Sequence, residues 1–154
     1  MLLSKSCVYG LRAALFMATK KDDEGYLPIR EISEKLDISF HFLTKILQQL
    51  TGAGLLESFR GPNGGVRLTK NGEDISLLEI VEAIDGPELL TECALGLPRC
   101  GEDIPCPLHE KWANTRDNIR EMLQKTSLKE MADKAKKENL RLTEEGSINE
   151  FLSG

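Results

Sequence analysis

The chain has 154 residues, of which 40% are hydrophobic and 29% charged, as expected for one modest globular domain or a small domain with an appendage. This composition argues against wholesale disorder, and no apolar run reaches the length of a membrane span. The net charge of −5 is unevenly divided, since residues 1–72 sum to +3 and residues 73–154 to −8. A mildly basic first half suits a surface that faces phosphate, while the acidic half faces away.

The N-terminus lacks a basic region followed by an apolar core, so we expect no secretory signal. The sequence has four cysteines, and in a chain without such a signal they point to a reducing compartment. We therefore predict a cytoplasmic protein without membrane contact, in which clustered cysteines are metal-binding or redox-active rather than disulfide-bonded.

Apolar spacing predicts three helices in the first third of the chain. The first covers about residues 6–20 and is broken by the polar run 22–25, and the second is a short helix over about residues 29–36. A tight turn at residues 37–39 offers Ser39 as the N-cap of the third helix. The buried stripe of that helix is Leu43, Ile46, Leu47 and Leu50. Two short helices joined by a tight turn are typical of a helix-turn-helix.

Two short strands follow, at residues 55–59 and 66–68, and the Gly-rich turn 60–65 joins them. A helix-turn-helix followed by a hairpin is a winged helix. The predicted fold class is therefore mainly α with a small β-hairpin wing, followed by a long C-terminal helix.

The second half begins with a capping box, Ser76 and Glu79, which opens a fourth helix. Residues 89–106 show no periodicity, and Pro107 fits the first position of a long fifth helix. The spacing along that helix is typical of packing on another helix, with the stripe Leu108, Trp112, Thr115, Ile119 and Met122. Ser127 and Glu130 form a second capping box, which opens a last helix. We predict a DNA-binding region over 1–72, a cysteine-rich and dimerisation region over 73–140, and a flexible tail over 141–154.

Polar and cationic side chains that reach base edges and phosphates lie on both predicted DNA-contacting elements. On the third helix and its cap they are Ser39, His41, Thr44, Lys45 and Gln48; on the wing they are Arg60, Asn63 and Arg67. The alternative is a winged helix that binds protein, with these side chains merely solvated.

Three cysteines and one histidine share a short stretch: Cys93, Cys100, Cys106 and His109. Thiolates and imidazole bind zinc or iron–sulfur clusters, and the wide spacing favours a cluster over a zinc knuckle. The alternatives are a packing role for His109 and inert apolar cysteines. Cys7, which lies apart in the first helix, is predicted to be a buried packing residue.

Four segments of the sequence resemble the Rrf-two family of bacterial winged-helix regulators, which has IscR, NsrR, RirA and CymR branches. They are residues 3–13 in the first helix, 38–50 in the recognition helix, 60–68 in the wing and 78–86 in the fourth helix. The resemblance runs over about residues 1–132 and leaves the tail uncovered.

The resemblance implies a homodimer held by the long helix and bound to a palindromic operator in double-stranded DNA. IscR-like members hold a 2Fe–2S cluster with three cysteines and a histidine placed like His109. NsrR-like members instead take the fourth ligand from an acidic residue of the partner's first helix. This chain has Val8 at the matching position, and because valine cannot bind iron, the resemblance favours His109 as the fourth ligand. The IscR branch has an acidic residue where this chain has Thr44, so its operator preference is not implied.

We therefore predict a transcriptional repressor that senses redox, iron, iron–sulfur or nitric oxide status through a cluster bound by Cys93, Cys100, Cys106 and His109. The cluster could instead be of the 4Fe–4S type, and oxygen-exposed material can lose it. A second hypothesis is a cluster-free, CymR-like regulator controlled by a protein partner or thiol oxidation, and a third is an iron–sulfur electron carrier. An enzyme is not predicted, because no nucleophile–base pair is evident and the turn 61–65 lacks the Lys-Ser/Thr of a phosphate-binding loop.

Overall fold

A computed structural model describes residues 2–20, 25–69, 74–144 and 146–147. Residues 22–24 of the predicted break after the first helix lie outside these ranges. The elements in chain order are α1 (Lys5–Thr19), α2 (Ile29–Leu36), α3 (Phe40–Gly52), β1 (Leu56–Phe59), β2 (Gly65–Leu68), α4 (Leu77–Asp85), α5 (Glu88–Thr91), α6 (His109–Lys125) and α7 (Leu128–Glu138). This confirms the predicted fold class, a mainly helical chain with a two-stranded wing. In the described part of the chain, no helix is both long and apolar enough to cross a membrane.

Helix α1 is the centre of the core and packs against α3, α4 and α7. It begins at Ser4, whose hydroxyl accepts a hydrogen bond of 3.0 Å from the Cys7 N–H. The close approach of α1 to α4 depends on Gly10, because a Cβ there would lie 2.3 Å from Cδ1 of Ile84. The buried residues of α1 and α3 belong to one hydrophobic core, and this core supports α3 from within.

The helix-turn-helix consists of α2, a tight turn and α3. The turn is made by Asp37 in a left-handed conformation, with φ of 52°, and by two hydrogen bonds between Ser33 and Ile38. The predicted stripe of α3 is confirmed, since Leu43, Ile46, Leu47 and Leu50 are each at most 1% exposed. Ser39 is the N-cap residue as predicted, although its side chain makes no capping hydrogen bond.

The wing is an antiparallel hairpin in which Glu57 lies opposite Arg67. It is tied to the segment before α2, because Leu27 and Val66 exchange two backbone hydrogen bonds of 2.8 Å. Gly65 permits this contact, since a Cβ there would lie 2.0 Å from the Leu27 carbonyl oxygen. The wing is therefore fixed to the helix-turn-helix rather than held by its own strands alone.

The second half differs from the sequence prediction at three places. The short helix α5 lies at the start of the stretch predicted to be aperiodic. Helix α6 begins at His109 rather than Pro107, because the residues before it form a turn closed by a 3.0 Å hydrogen bond from the His109 N–H to the Cys106 carbonyl. Met122 is 57% exposed in the single chain, so its packing against a second helix stays a prediction.

The third difference is at the predicted flexible tail, where Leu142 is buried in the core. Burial of this apolar side chain holds the chain against the core after α7. Residues 145 and 148–154 of the predicted tail lie outside the described residues. The predicted capping box of Ser76 and Glu79 is complete at α4. Of the box predicted at α7, the structure shows one bond, in which the Ser127 hydroxyl accepts from the Glu130 N–H.

Candidate nucleic-acid interface and cysteine site

Helix α3 presents a polar face opposite its buried stripe. His41, Lys45 and Gln48 are exposed, so their side chains are available to a groove or to phosphates. Thr44 is half-buried, and its hydroxyl donates a 2.7 Å hydrogen bond to the Phe40 carbonyl. That bond occupies the donor of Thr44, which leaves its methyl group and the oxygen lone pairs for contacts outside the helix.

The wing carries two arginines in different situations. Arg67 bonds through Nε to Glu57 at 2.8 Å, and its guanidinium lies 4.5 Å from the ring centre of Tyr26. The carboxylate hydrogen bond raises the pKa of Arg67, which is cationic in any case. Arg60 and Asn63 are exposed, and the described residues give Arg60 no ion pair or hydrogen bond. Of the two wing arginines, Arg60 therefore has fewer contacts within the described part of the chain.

The four predicted ligands lie together as two contacting pairs. The sulfur atoms of Cys93 and Cys106 are 3.6 Å apart, and the Cys100 sulfur is 3.6 Å from Nδ1 of His109. Cys93 and Cys100 line one cavity of about 450 Å³, and Cys106 and His109 line another of about 470 Å³. Both cavities and both contacts therefore involve the same four side chains.

The local backbone favours the thiolate of Cys93. The N–H groups of Leu97 and Leu95 point to its sulfur and hold the pKa of this thiol below its usual value. Cys7 is the opposite case, because burial raises the pKa of its thiol to about 12, with a further contribution from Asp85. Cys7 is fully buried in the core, as predicted.

The arrangement fits a two-metal cluster better than a single ion. Among the described residues, no three His, Cys, Asp or Glu side chains converge closely enough to hold one metal ion. Two thiolates at about 2.3 Å from one tetrahedral metal lie roughly 3.8 Å apart, close to the Cys93–Cys106 separation. A 2Fe–2S cluster takes two protein ligands at each iron, so two separate donor pairs match its requirement.

The sequence interpretation missed that Trp112 and Arg116 of α6 hold the start of the cysteine loop and that Arg120 holds the short helix α5. Trp112 and Arg116 both donate to the Glu92 carbonyl, at 2.9 Å and 3.2 Å, and Arg120 donates to the Leu90 carbonyl at 2.6 Å. Arg116 also reaches the Cys100 sulfur at 3.4 Å. The available signal was the spacing of three and then four residues from His109 through Trp112 to Arg116 and Arg120, which places them on one helix face.

A helix-turn-helix with an attached wing and polar groups on both elements defines a winged-helix DNA-binding transcription regulator. A family model described as "Iron-dependent Transcriptional regulator", Rrf2, matches residues 3–134. The chain belongs to the Rrf2 family. Its members are transcription regulators rather than enzymes; they bind DNA and usually form dimers.

Relatives and solved structures agree with this assignment. The chain is 30% identical to the HTH-type transcriptional regulator IscR of Pectobacterium atrosepticum over 153 residues, covering 94% of this chain and 92% of the relative. It is 33% identical to IscR of Photorhabdus laumondii, covering 81% of this chain and 75% of the relative. CymR, the global cysteine regulator of B. subtilis, superposes with a TM-score of 0.73 at 28% identity over 86% of this chain and 96% of CymR. IscR of T. potens shares the fold, with a TM-score of 0.70 at 23% identity over 90% of this chain and 91% of its own.

Proposed function

We propose that the chain is a dimeric repressor whose operator binding is controlled by a 2Fe–2S cluster held by Cys93, Cys100, Cys106 and His109. The observation that carries this proposal is the division of four soft ligands into two pairs, each with a 3.6 Å contact. When bound, the cluster supplies a centre that reacts with oxidants and nitric oxide. The IscR relatives support the same assignment by similarity.

The loop that carries the ligands joins the DNA-binding half to the long helix. It leaves α4 through α5, carries Cys93 and Cys100, and enters α6 at His109. A centre held by all four side chains would keep the two ends of this loop together. Since α4 packs on α1, α3 and α6, a change in the loop alters how the winged helix sits relative to α6.

Dimerisation gives that change an effect on DNA. Leu108, the N-cap residue of α6, and Met122 are 14 residues apart, a spacing that places them on one side of the helix, and both are exposed in the single chain. Leu95, Leu97 and Ile104 in the cysteine loop are exposed as well. A second copy that covers the α6 stripe places two recognition helices on successive major grooves of a palindromic operator, where the polar faces of α3 and the wing meet the DNA.

Anaerobic purification followed by iron, sulfide and visible-absorption measurements tests the cluster. We expect colour with about two iron and two sulfide per chain, and loss of both in Cys93→Ala, Cys100→Ala and Cys106→Ala. His109→Ala should give a cluster that is lost faster. Cys7→Ala is the matched control, because it removes a thiol outside the site and should keep the cluster. About four iron and four sulfide per chain would indicate a 4Fe–4S cluster instead. Wild-type protein that contains no iron refutes the proposal.

The Cys93–Cys106 contact favours one second candidate, a cluster-free regulator of the CymR-like kind that responds to thiol oxidation or a protein partner. Two sulfurs 3.6 Å apart approach disulfide distance after a small rotation of the side chains. An iron-free wild-type chain that forms a Cys93–Cys106 disulfide with peroxide, and changes its DNA affinity on doing so, supports this candidate.

A further inference from the structure

Arg116 stands out among the α6 side chains because its guanidinium reaches a predicted ligand as well as the loop backbone. One terminal nitrogen lies 3.2 Å from the Glu92 carbonyl and 3.4 Å from the Cys100 sulfur. The neighbouring side chains on this face, Trp112 and Arg120, reach backbone carbonyls. Arg116 therefore brings a positive charge to one sulfur of the site.

The rest of the guanidinium supports a polar role there. Its Nε is buried and has no hydrogen-bond partner within the described residues. A buried donor without a partner carries a desolvation cost that is not offset by a hydrogen bond. A bound group with anionic sulfur atoms beside Cys100 offers an acceptor that would lower this cost.

We propose that Arg116 is a positioning residue that fixes the Cys100 sulfur against α6 and tunes the electron affinity of the cluster bound there. The proposal rests on the proposed 2Fe–2S cluster. A hydrogen bond from a cationic donor stabilises negative charge on a ligating sulfur. Reduction adds negative charge to the cluster, so the guanidinium favours the reduced form and makes the reduction potential more positive.

The same contact connects the cluster to the proposed dimerisation helix. Arg116 and Trp112 hold the same Glu92 carbonyl, one residue before Cys93. Loss of the Cys100 contact therefore leaves Arg116 tied to the backbone only. Arg116 thus links one side of the site, Cys100, to the residue that precedes the other side, Cys93.

The test compares wild type with Arg116→Gln, Arg116→Lys and Arg120→Gln, all purified and reconstituted without oxygen. Arg120→Gln is the matched control, since it removes an α6 cation that bonds the Leu90 carbonyl and not a sulfur. We expect Arg116→Gln to shift the reduction potential to more negative values and to release iron roughly 10- to 100-fold faster to a chelator. Arg116→Lys keeps the charge and should fall between wild type and Arg116→Gln, while Arg120→Gln keeps the wild-type potential.

Separate measurements distinguish the proposed role of Arg116 from misfolding of the loop and from absence of the cluster. Emission from Trp112, the single tryptophan of the chain, checks that the loop of each iron-free variant stays in place. The proposal is supported if Arg116→Gln releases iron faster than wild type. It is also supported if Arg116→Gln fails to take up the cluster while Arg116→Lys takes it up. A wild-type potential in Arg116→Gln, equal shifts in Arg116→Gln and Arg120→Gln, or loss of loading in all three variants overturns it. Wild type that binds no iron refutes the cluster assignment, whereas a loaded wild type with unaffected Arg116 variants refutes this proposal alone.

Discussion

Replacing Gly65 with alanine should detach the wing from the helix-turn-helix. The added Cβ would lie 2.0 Å from the Leu27 carbonyl oxygen, whereas carbon–oxygen contacts are normally about 3.3–3.6 Å. The wing and the segment that contains Leu27 must therefore move apart by more than about 1 Å. The two backbone hydrogen bonds of 2.8 Å between them would then exceed hydrogen-bond distance. Two backbone bonds between Leu27 and Val66 are then lost.

The expected cost in the free energy of unfolding is about 2–4 kcal/mol, because each lost bond is worth about 1 kcal/mol and both residues are buried. Urea unfolding followed by circular dichroism measures this cost. Fluorescence anisotropy with a duplex DNA probe measures the effect on binding, which we expect to be weaker because the wing no longer has a fixed position. We therefore expect Gly65→Ala to lower both the free energy of unfolding and the affinity for DNA.

The matched control is Gly52→Ala at the end of α3, where an added Cβ meets open space. This variant should be as stable as wild type or more so, since alanine favours a helix over glycine by up to about 1 kcal/mol. If Gly65→Ala unfolds at the same urea concentration as Gly52→Ala, the contact between wing and Leu27 does not hold the wing and the reasoning is refuted.

Three further predictions concern single side chains. Arg60→Ala should lower the salt dependence of DNA binding by about one unit of slope with stability unchanged, as measured by anisotropy at several salt concentrations; an unchanged slope excludes a phosphate contact. Ser76→Ala removes half of a capping box, so urea titration should show a loss of about 1 kcal/mol, and a loss near zero means that Glu79 caps α4 alone. The pKa of Cys7 is raised to about 12 in the folded chain from an ordinary value of 9.0, so its contribution to stability is full below pH 9 and declines above it. The stability of wild type relative to Cys7→Ala should therefore fall by about 2 kcal/mol near pH 10.5 in the presence of reductant, and a pH-independent difference contradicts the buried thiol.

Much of the DNA-binding half could be predicted from sequence because its signals are local. The stripe from Leu43 to Leu50 follows the helical period, and the residues 60–65 have the glycines that a hairpin turn requires. In the second half, the Ser76–Glu79 capping box is an equally local signal and marks the start of α4 to the residue. These features depend on neighbours within one or two turns, which a linear sequence displays directly.

The burial of Leu142 could not be predicted, because it depends on contacts with distant parts of the chain. The same holds for the attachment of the wing, since nothing in the local pattern brings Leu27 to Val66. These are tertiary pairings between segments separated by long stretches of sequence.

By itself, the sequence determined a winged-helix regulator and a predicted set of soft ligands, because periodicity, turn residues and ligand chemistry are properties of residue types at fixed spacing. Only the tertiary structure decided how the ligands combine, with Cys93 beside Cys106 and Cys100 beside His109. It also brought Arg116 to the Cys100 sulfur from a different element. The physical reason is that a loop without periodicity takes its shape from the helix it packs on, so its internal distances are set by α6 rather than by its own residues.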